Sequence, residues 1–347
     1  MKKVLVIIVN FNGYQYISDC LNTLLASGDQ NLYDILVVDN HSSDPSLAQV
    51  VTNYPMVKTL ALTANFGFAG GNNRGIEWGM NQGYQYLFLL NQDTEVSNNW
   101  LAPLLVAMDS EATIAAVQPK ILLHPEIDKI NSIGNIIHFL GFGYCQGNGV
   151  VDRPEEQALT EINYCSGAAV LLKTAVLKKI GIFDESMFMY SEDLDLGWRL
   201  WLTGFKSIYC PSSTIYHKYK FSKSVSKIYF MERNRIICLL KNYQTKTLLY
   251  LLPALLLMEI GQMFYTIKRK WFWQKIKSYY YFTDPQVWLR IYQQRKNLQK
   301  IRQVSDGQIL RKFSGRISFQ EIDNPLLIYI ANPIFHYYLS KLRKIIP

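Results

Sequence analysis

Charge is scarce in this 347-residue chain: Asp, Glu, Lys and Arg together make up 18% of it. With hydrophobic residues at 49%, long disordered tracts are excluded and a large core can form. Cysteine is sparse as well. The five, Cys20, Cys145, Cys165, Cys210 and Cys238, form no C-x-x-C pair and are odd in number, which argues against a zinc cluster and fits a reduced, cytoplasmic compartment. No G-x-G-x-x-G follows the opening apolar run, so a nicotinamide-dependent oxidoreductase lacks its phosphate fingerprint. That run, Val4 to Val9, is short, ends in Asn10 and has no cleavage site; it reads as a buried strand rather than a secretory leader. Internal repeats and low-complexity linkers are not seen.

Aromatic residues, by contrast, are plentiful at 14%, with 23 Tyr, 17 Phe and 7 Trp. The net charge of +9 is unevenly spread. Residues 1–217 carry 12 basic and 21 acidic side chains, a net −9; residues 218–347 carry 24 and 6, a net +18. The basic part suits an anionic partner, either nucleic acid or a membrane surface.

The N-terminal part alternates strand and helix patterns. Val4–Val9 is followed by Ile17, Cys20, Leu21, Leu24 and Leu25 at helical spacing, and Ile35–Val38 reads as a second strand. A short helix at Ser46–Val51, a strand at Thr59–Leu62, a Gly- and Asn-rich turn, a helix through Ile76 and Met80, and a strand at Tyr86–Leu90 come next. This alternation predicts an α/β fold, a Rossmann-like, mostly parallel sheet with helices on both faces. Ligands then sit beyond the carboxyl ends of the strands, where Asn10, Asp39, Asn65 and Asp93 lie. Residues from Leu123 to Asn163 are less regular, and Gly134, Gly141, Gly143, Gly147 and Gly149 suggest hairpins or loops around a substrate cleft. Ala168–Leu172 reads as a strand, Leu194–Leu202 as a helix beginning just after Glu192-Asp193, and Ile208–Tyr209 and Thr214–Tyr216 as strand-like pieces. Beyond His217 the chain turns basic, aromatic and helical.

Several segments can carry chemistry. Asn91-Gln92-Asp93 follows an apolar strand directly, and Asp93 can offer a hard divalent cation an oxygen ligand shared with substrate phosphates; the plainer reading is a turn. Asp39 closes ILVV and can accept from a base N–H or a ribose hydroxyl, while Ser43 or Asp44 before Pro45 can simply cap a helix. Asn65-Phe-Gly-Phe-Ala-Gly-Gly-Asn-Asn-Arg74-Gly75 permits close backbone approach to an anion at a helix start; a tight capped turn is the alternative. Glu192, Asp193 and Asp195 place three acids ahead of an apolar helix, more than one cap requires, and one of them can act as a general base on a hydroxyl. His217 ends a strand-like run and is either a structural residue or a metal ligand.

Together these segments resemble the family-two glycosyltransferases with the GT-A fold. The likeness runs in order from Val4 to about Asn234 through VIIVNFNG, ILVVDNHSSD, NFGFAGGNNRG, LLNQDT and SGAAVLLKTAVLKKIGIFDESMFMYSEDLDLGWRL, with the third segment close to the rhamnosyltransferase form. The resemblance implies that Asn10 and Asp39 contact base and ribose. Asn65, Gly70, Gly71 and Asn73 would line the nucleotide-sugar pocket, and Asn91 would touch ribose or donor sugar. Asp93, completed by His217, would bind Mg²⁺ or Mn²⁺, and Asp193 would be the general base with Glu192 beside it. Asn91 stands where the family's D-x-D motif has its first acid, which weakens two-carboxylate metal binding. The implied reaction is an inverting transfer, from dTDP-rhamnose, to a hydroxyl of a cell-surface or lipid-linked glycan. The alternatives are a galactofuranosyl, hexosyl or aminosugar transferase, or a non-catalytic membrane-bound scaffold.

The expected organisation is a catalytic domain over residues 1–221 and a C-terminal helical, membrane-associating region over residues 222–347, with the protein cytoplasmic and peripheral to the inner face of the membrane. Leu248–Ile267 is long enough to span a bilayer at about 20 residues. Pro253, Glu259 and Gln262 interrupt it, and basic residues flank both ends (Lys241 and Lys246, then Lys268-Arg269-Lys270). Helices lying in the interface are therefore expected rather than a span. A homo-oligomer interface is the alternative; nucleic acid is not the expected partner.

Overall fold

The computed structural model describes residues 3–153, 158–218, 225–268, 270–318 and 325–347. The chain divides into two compact units. The expected domain boundary at 221–222 lies outside the described residues.

The first unit is built on a ten-stranded mixed sheet. In chain order its elements begin with β1 (Val4–Asn10), α1 (Ile17–Ala26), β2 (Tyr33–Asp39), α2 (Ser46–Asn53), β3 (Lys58–Ala61), α3 (Gly67–Asn81) and β4 (Tyr86–Asn91). They continue with β5 (Thr94–Val96), α4 (Leu101–Asp109), β6 (Ile114–Leu123) and β7 (Ile130–Ser132). After a two-stranded hairpin that falls largely in the second unit, β8 (Asn135–Ile137) and β9 (Gly143–Cys145), come β10 (Thr160–Ile162), β11 (Ala169–Lys173), α5 (Thr174–Ile180), α6 (Glu192–Leu202) and β12 (Lys206–His217). The sheet order is β10-β12-β6-β11-β4-β1-β2-β3, with β5 on β12 and β7 on β6.

Strands β3, β2, β1 and β4 are parallel, and β1 and β4 are buried on both faces, which is why they read as unbroken apolar runs. Their register sets Asn10 opposite Asp39 and Val9 opposite Asn91, so the polar ends of three strands share one sheet edge. Beyond β4 the sheet turns mixed: β11 runs antiparallel to β4 and to β6, and β6 runs parallel to β12. The core between sheet and helices centres on Phe88 and Trp100, whose ring centroids lie 4.5 Å apart, with the tilted ring of Tyr33 5.5 Å from Trp100.

Three expectations need correction. The Gly- and Asn-rich stretch is no separate turn: Gly67 to Asn73 form the first two turns of α3. Small residues are required there because α3 lies tight on the sheet; a Cβ on Gly71 would meet Val9 Cγ1 at 2.8 Å, and one on Gly75 would meet Ile7 Cγ2 at 2.4 Å. The helix at the acidic triplet begins at Glu192, two residues earlier than expected, so the acids occupy its first turn. The two strand-like pieces after Phe205 are one strand, β12, with an irregularity between Cys210 and Thr214. Its partner β6 carries Pro119 opposite that irregularity, beyond the residues paired with β11, where a missing N–H breaks no ladder bond.

The second unit comprises Ile136–Tyr144, Trp201–Gly204 and the chain from Phe221 onward. Its helices are α7 (Val225–Asn242), α8 (Thr245–Lys268), α9 (Phe272–Tyr280), α10 (Pro285–Ile301), α11 (Asp306–Lys312) and α12 (Asn332–Ile345). Asp284 caps α10, with Pro285 in its first turn, and Ser305 with Gln308 closes a capping box on α11. A helical C-terminal region is thus observed.

Candidate active site

The loops after β1 and β2 are knitted together beneath the sheet edge. Asn10 is fully buried, and its Nδ2 donates to Asp39 Oδ1 (2.8 Å), Ser46 Oγ (2.8 Å) and Ser42 Oγ (3.1 Å). Asp39 Oδ2 accepts the Ser42 N–H, and Asn12 Oδ1 accepts from Ser43 N. Asn10 therefore serves to fix Asp39 and the 42–46 loop; its remaining oxygen, Oδ1, is buried without a hydrogen-bond partner. Gly13 passes so close that a Cβ there would sit 2.4 Å from that oxygen and 2.3 Å from Gln92 Oε1. Gln92 in turn grips the same loop, accepting from Phe11 N (2.9 Å) and donating to Phe11 O (3.1 Å).

The start of α3 is held by a residue that the sequence reading passed over. Asn40 donates to Gly67 O and to Asn65 Oδ1, and accepts from Phe66 N. Asn65 also accepts the Gly67 N–H at 2.8 Å. Gly67 has φ +70, and a Cβ on it would strike Phe188 O at 2.3 Å; that same carbonyl accepts the Ala69 N–H. Asn73 was expected to line a pocket together with Gly70 and Gly71. It is instead buried, with Nδ2 on Phe183 O and Glu185 Oε1 and Oδ1 accepting from Phe183 N, and so it braces the 183–185 segment. Gly70 is packed on Phe66 and Gly71 on Val9 and Asn40, so both serve close packing. Arg74 reinforces the brace with a two-point contact to Glu185.

The acidic triplet separates into three environments. Asp195 is buried and paired with Arg199 Nε at 2.8 Å, while the other Arg199 nitrogens donate to the carbonyls of Ile180, Gly181 and Ile182. Glu192 is buried, and its Oε2 has no hydrogen-bond partner. Burial, and then the neighbouring charges of Asp193 and Asp195, push its carboxyl well above the ordinary range. Burial also raises Asp193, but Gly167 N donates to its Oδ2 (3.1 Å) and Leu194 N to its Oδ1 (2.7 Å), which favours its charged form. Of the adjacent pair, Glu192 is pushed the more strongly toward its neutral form, and Asp193 has the two N–H donors that favour ionisation. Ahead of them, Phe188, Tyr190 and Ser191 all have positive φ, at 62, 67 and 68, a concentration of strained backbone beside the acids. Gly167 also ties Asp193 to the sheet edge, because the next residue, Ala168, accepts the Asn91 N–H at 2.9 Å. A Cβ on Gly167 would touch the Phe68 ring at 3.0 Å.

Asp93 and His217 face each other across the β5–β12 pairing, Nε2 to Oδ1 at 3.3 Å. Asn131 offers its oxygen to His217 Nδ1 at 3.0 Å, because its amide nitrogen points at Asn148 Oδ1. With Nδ1 engaged by Asn131, His217 Nε2 is directed at the Asp93 carboxylate, a pairing in which the two groups can bond to each other or share a cation. These residues fit a hard or borderline divalent ion. Among the described residues, however, no group of three or more His, Cys, Asp and Glu side chains gathers to hold one. Asn91 Oδ1 and Nδ2 have no assigned contact; its backbone carbonyl accepts from Thr94 Oγ1. Asn40, Gln92, Asn131 and Gly167 were not picked out in sequence because each acts on backbone or on another side chain far along the chain. All five cysteines are free thiols, and burial pushes Cys20 up to about 12.

Residues 5–144 match the family model described as Glycosyl transferase family 2. The N-acetylglucosaminyl-diphospho-decaprenol L-rhamnosyltransferase of Mycobacterium tuberculosis is 27% identical over 201 residues, 53% of this chain and 66% of that protein. Rhamnosyltransferase WbbL of Escherichia coli is 25% identical over 227 residues, 62% of this chain and 83% of that one. The crystal structure of GalNAc-T7 with UDP, GalNAc and Mn²⁺ superposes at a TM-score of 0.57 with 16% identity, over 69% of this chain and 47% of that chain. The chain thus spans slightly under two thirds of the mycobacterial relative and about half of GalNAc-T7. The likeness to GalNAc-T7 bears on fold, and the fold is GT-A.

Proposed function

We propose that the chain, whose residues 5–144 match the family-two glycosyltransferase model and whose fold is GT-A, moves a sugar from a nucleoside-diphosphate donor to a hydroxyl in one inverting displacement. The observation that carries this reading is the Asp193 carboxylate, oriented by two backbone N–H groups and tied through Gly167 to the sheet edge that carries Asn91 and Asp93. Asp193 takes the acceptor proton as its oxygen attacks the anomeric carbon. Glu192, keeping its proton, leaves Asp193 as the single charge of the pair. Asp39 and the 42–46 loop receive base and ribose, and Asn65 with the start of α3 receives the donor sugar. Asp93 and His217 hold Mg²⁺ or Mn²⁺, which when bound neutralises charge on the departing nucleoside diphosphate.

We propose rhamnose from dTDP-rhamnose as the donor sugar and a lipid-linked or cell-surface glycan as the acceptor. The support is the names of the mycobacterial and Escherichia coli relatives, together with the NFGFAGGNNRG segment. The enzyme works in the cytoplasm at the inner face of the membrane. Calorimetry with dTDP, UDP and GDP in Mn²⁺ tests the donor: dTDP should bind tightest, and preference for GDP would overturn the assignment. EDTA should abolish both nucleotide binding and transfer, and Asp93→Ala should weaken nucleotide binding only when metal is present. Full transfer in EDTA would remove the metal from the mechanism.

A further inference from the structure

Helix α8 buries Leu251, Ala254 and Met258 and leaves a second apolar face exposed. Its middle acid Glu259 and Gln262 turn into the helical unit, whereas Leu249, Leu252, Leu256, Ile260, Phe264 and Ile267 lie exposed along one stripe at spacings of three and four. Inside, Glu259 meets the fully buried Lys275 of α9 at 2.7 Å and the buried Arg235 of α7. Arg235 also reaches Glu232 at 3.2 Å and Gln262 at 3.4 Å, and Lys275 reaches Gln262 at 2.6 Å. Glu259 and Gln262, two of the residues that interrupt the apolar run in sequence, therefore help to anchor the helix beside the buried Leu251, Ala254 and Met258, while the stripe from Leu249 to Ile267 stays exposed among the described residues.

We propose that this stripe, with the aromatic–basic faces of α9, α10 and α12, is an in-plane docking surface for an anionic lipid bilayer. The charge distribution identifies the occupant. The described carboxylates of this unit are Glu232, Glu259, Asp284 and Asp306. Glu232 and Glu259 face Arg235 and Lys275, Asp306 faces Arg302, and Asp284 caps α10 through the Gln286 N–H. The outward charge is thus cationic: Lys246, Lys268, Lys277, Lys296, Lys300 and Lys341 are all exposed. On α9, Trp273, Lys277 and Tyr280 share an exposed face; on α10, Leu289, Tyr292 and Lys296 do; on α12, Ile334, Tyr337 and Lys341 do. Apolar stems and rings with interspersed ammonium groups match the boundary between acyl chains and anionic headgroups. Two copies of a face of one charge sign repel each other, which disfavours a homodimer through it.

The same contacts fix the mode as lying rather than crossing. α8 is tied to α7 and α9 at its middle and to α12 near its start, where Tyr338 Oη donates to Tyr250 O at 2.6 Å. A span would drag Glu232, Arg235, Glu259 and Lys275 into hydrocarbon. What the surface is for, keeping the enzyme beside a lipid-linked acceptor, rests on the proposed function; the test reads lipid binding alone, so either can fail without the other.

The experiment is flotation of the full chain with vesicles of phosphatidylglycerol and phosphatidylcholine, against phosphatidylcholine alone. The full chain should float with the anionic vesicles, be largely released at high salt, and come off completely in alkaline carbonate, as a spanning helix would not. The triple variant Leu256→Ser, Ile260→Ser, Phe264→Ser should lose about tenfold or more in bound fraction. Because these side chains are exposed, its melting temperature should stay unchanged. Reversing Lys246, Lys268 and Lys277 to Glu should remove the preference for anionic vesicles. Failure of the full chain to float, resistance to carbonate, or a dimer that the triple variant turns into a monomer would each overturn the proposal.

Discussion

In the sheet unit Val4–Ile8 and Leu87–Leu89 are sealed from solvent and the polar side chains gather at the strand ends; in the helical unit Arg235 and Lys275 are sealed, while Leu249, Leu252, Leu256 and Leu257 of α8 are exposed. The two arrangements place different demands on charge. At the sheet edge Asp195 pairs with Arg199, but Glu192 has no basic partner among the described residues and is driven toward its neutral form. In the helical unit each buried acid faces a base. Burial alone would raise Glu259, but the charges of Arg235 and Lys275 outweigh it and hold the group at about 2. A lone buried acid is a poised chemical group, whereas a buried ion network is a device for orientation: it fixes which face of α8 points inward.

The largest effect expected is on chemistry in the sheet unit. Asp193→Asn should cut turnover by about 10²–10⁴-fold while nucleotide binding survives. Wild-type turnover in that variant would move the base to another residue, and the buried Asp195–Arg199 pair makes Asp195 a poor replacement. Next comes the ion network. Arg235→Met leaves Glu232 and Glu259 facing one another with Lys275 alone and should cost about 3–5 kcal/mol, read by chemical denaturation. An effect no larger than that of the exposed Lys300→Met would show the network to be loosely held. Gly67→Ala forces a Cβ against Phe188 O in a left-handed residue and should cost about 1–2 kcal/mol with a loss of transfer, since Phe188 leads into the acids.

The smallest effect sharpens the contrast most, because the two units should respond to pH with opposite sign. Glu259 is lower folded than unfolded, so its contribution is complete above the unfolded value of about 4.3 and is lost as pH falls toward 2. Glu192 is raised, so stability associated with it is complete at low pH and is lost as pH rises through its folded value. Glu192→Gln should therefore raise the melting temperature at pH 8, by about 2–4 °C for each kcal/mol relieved, and leave it nearly unchanged at pH 4. An equal shift at both values would show that Glu192 is not held protonated.

What could be read in the sequence follows from how local each signal is. The strands β1, β2 and β4 were legible because burial on both faces leaves an uninterrupted apolar run, and their polar ends marked the site edge. β6 was not, since Gln118, Pro119 and Lys120 break its pattern, and only the sheet shows that Pro119 falls where pairing already lapses. The acids of α6 were visible as a cluster, but their division was not: it depends on Arg199, Gly167 and Leu194, which sequence spacing alone does not assign. Likewise Asn10 and Asn73 stood out by type and position, whereas their burial and bracing bonds needed coordinates. Asp93 and His217 lie 124 positions apart, and only the β5–β12 pairing makes them neighbours.

The short segment from Ile180 to Glu185 is gripped from two sides, by Asn73 and Arg74 of α3 and by Arg199 of α6. For anyone wishing to re-engineer the protein, this makes α3, the segment and α6 one exchangeable cassette. A graft that takes α3 from one parent and α6 from another, however, splits a set of matched anchors, and such chimeras should express as poorly packed protein unless residues 180–185 travel with both helices.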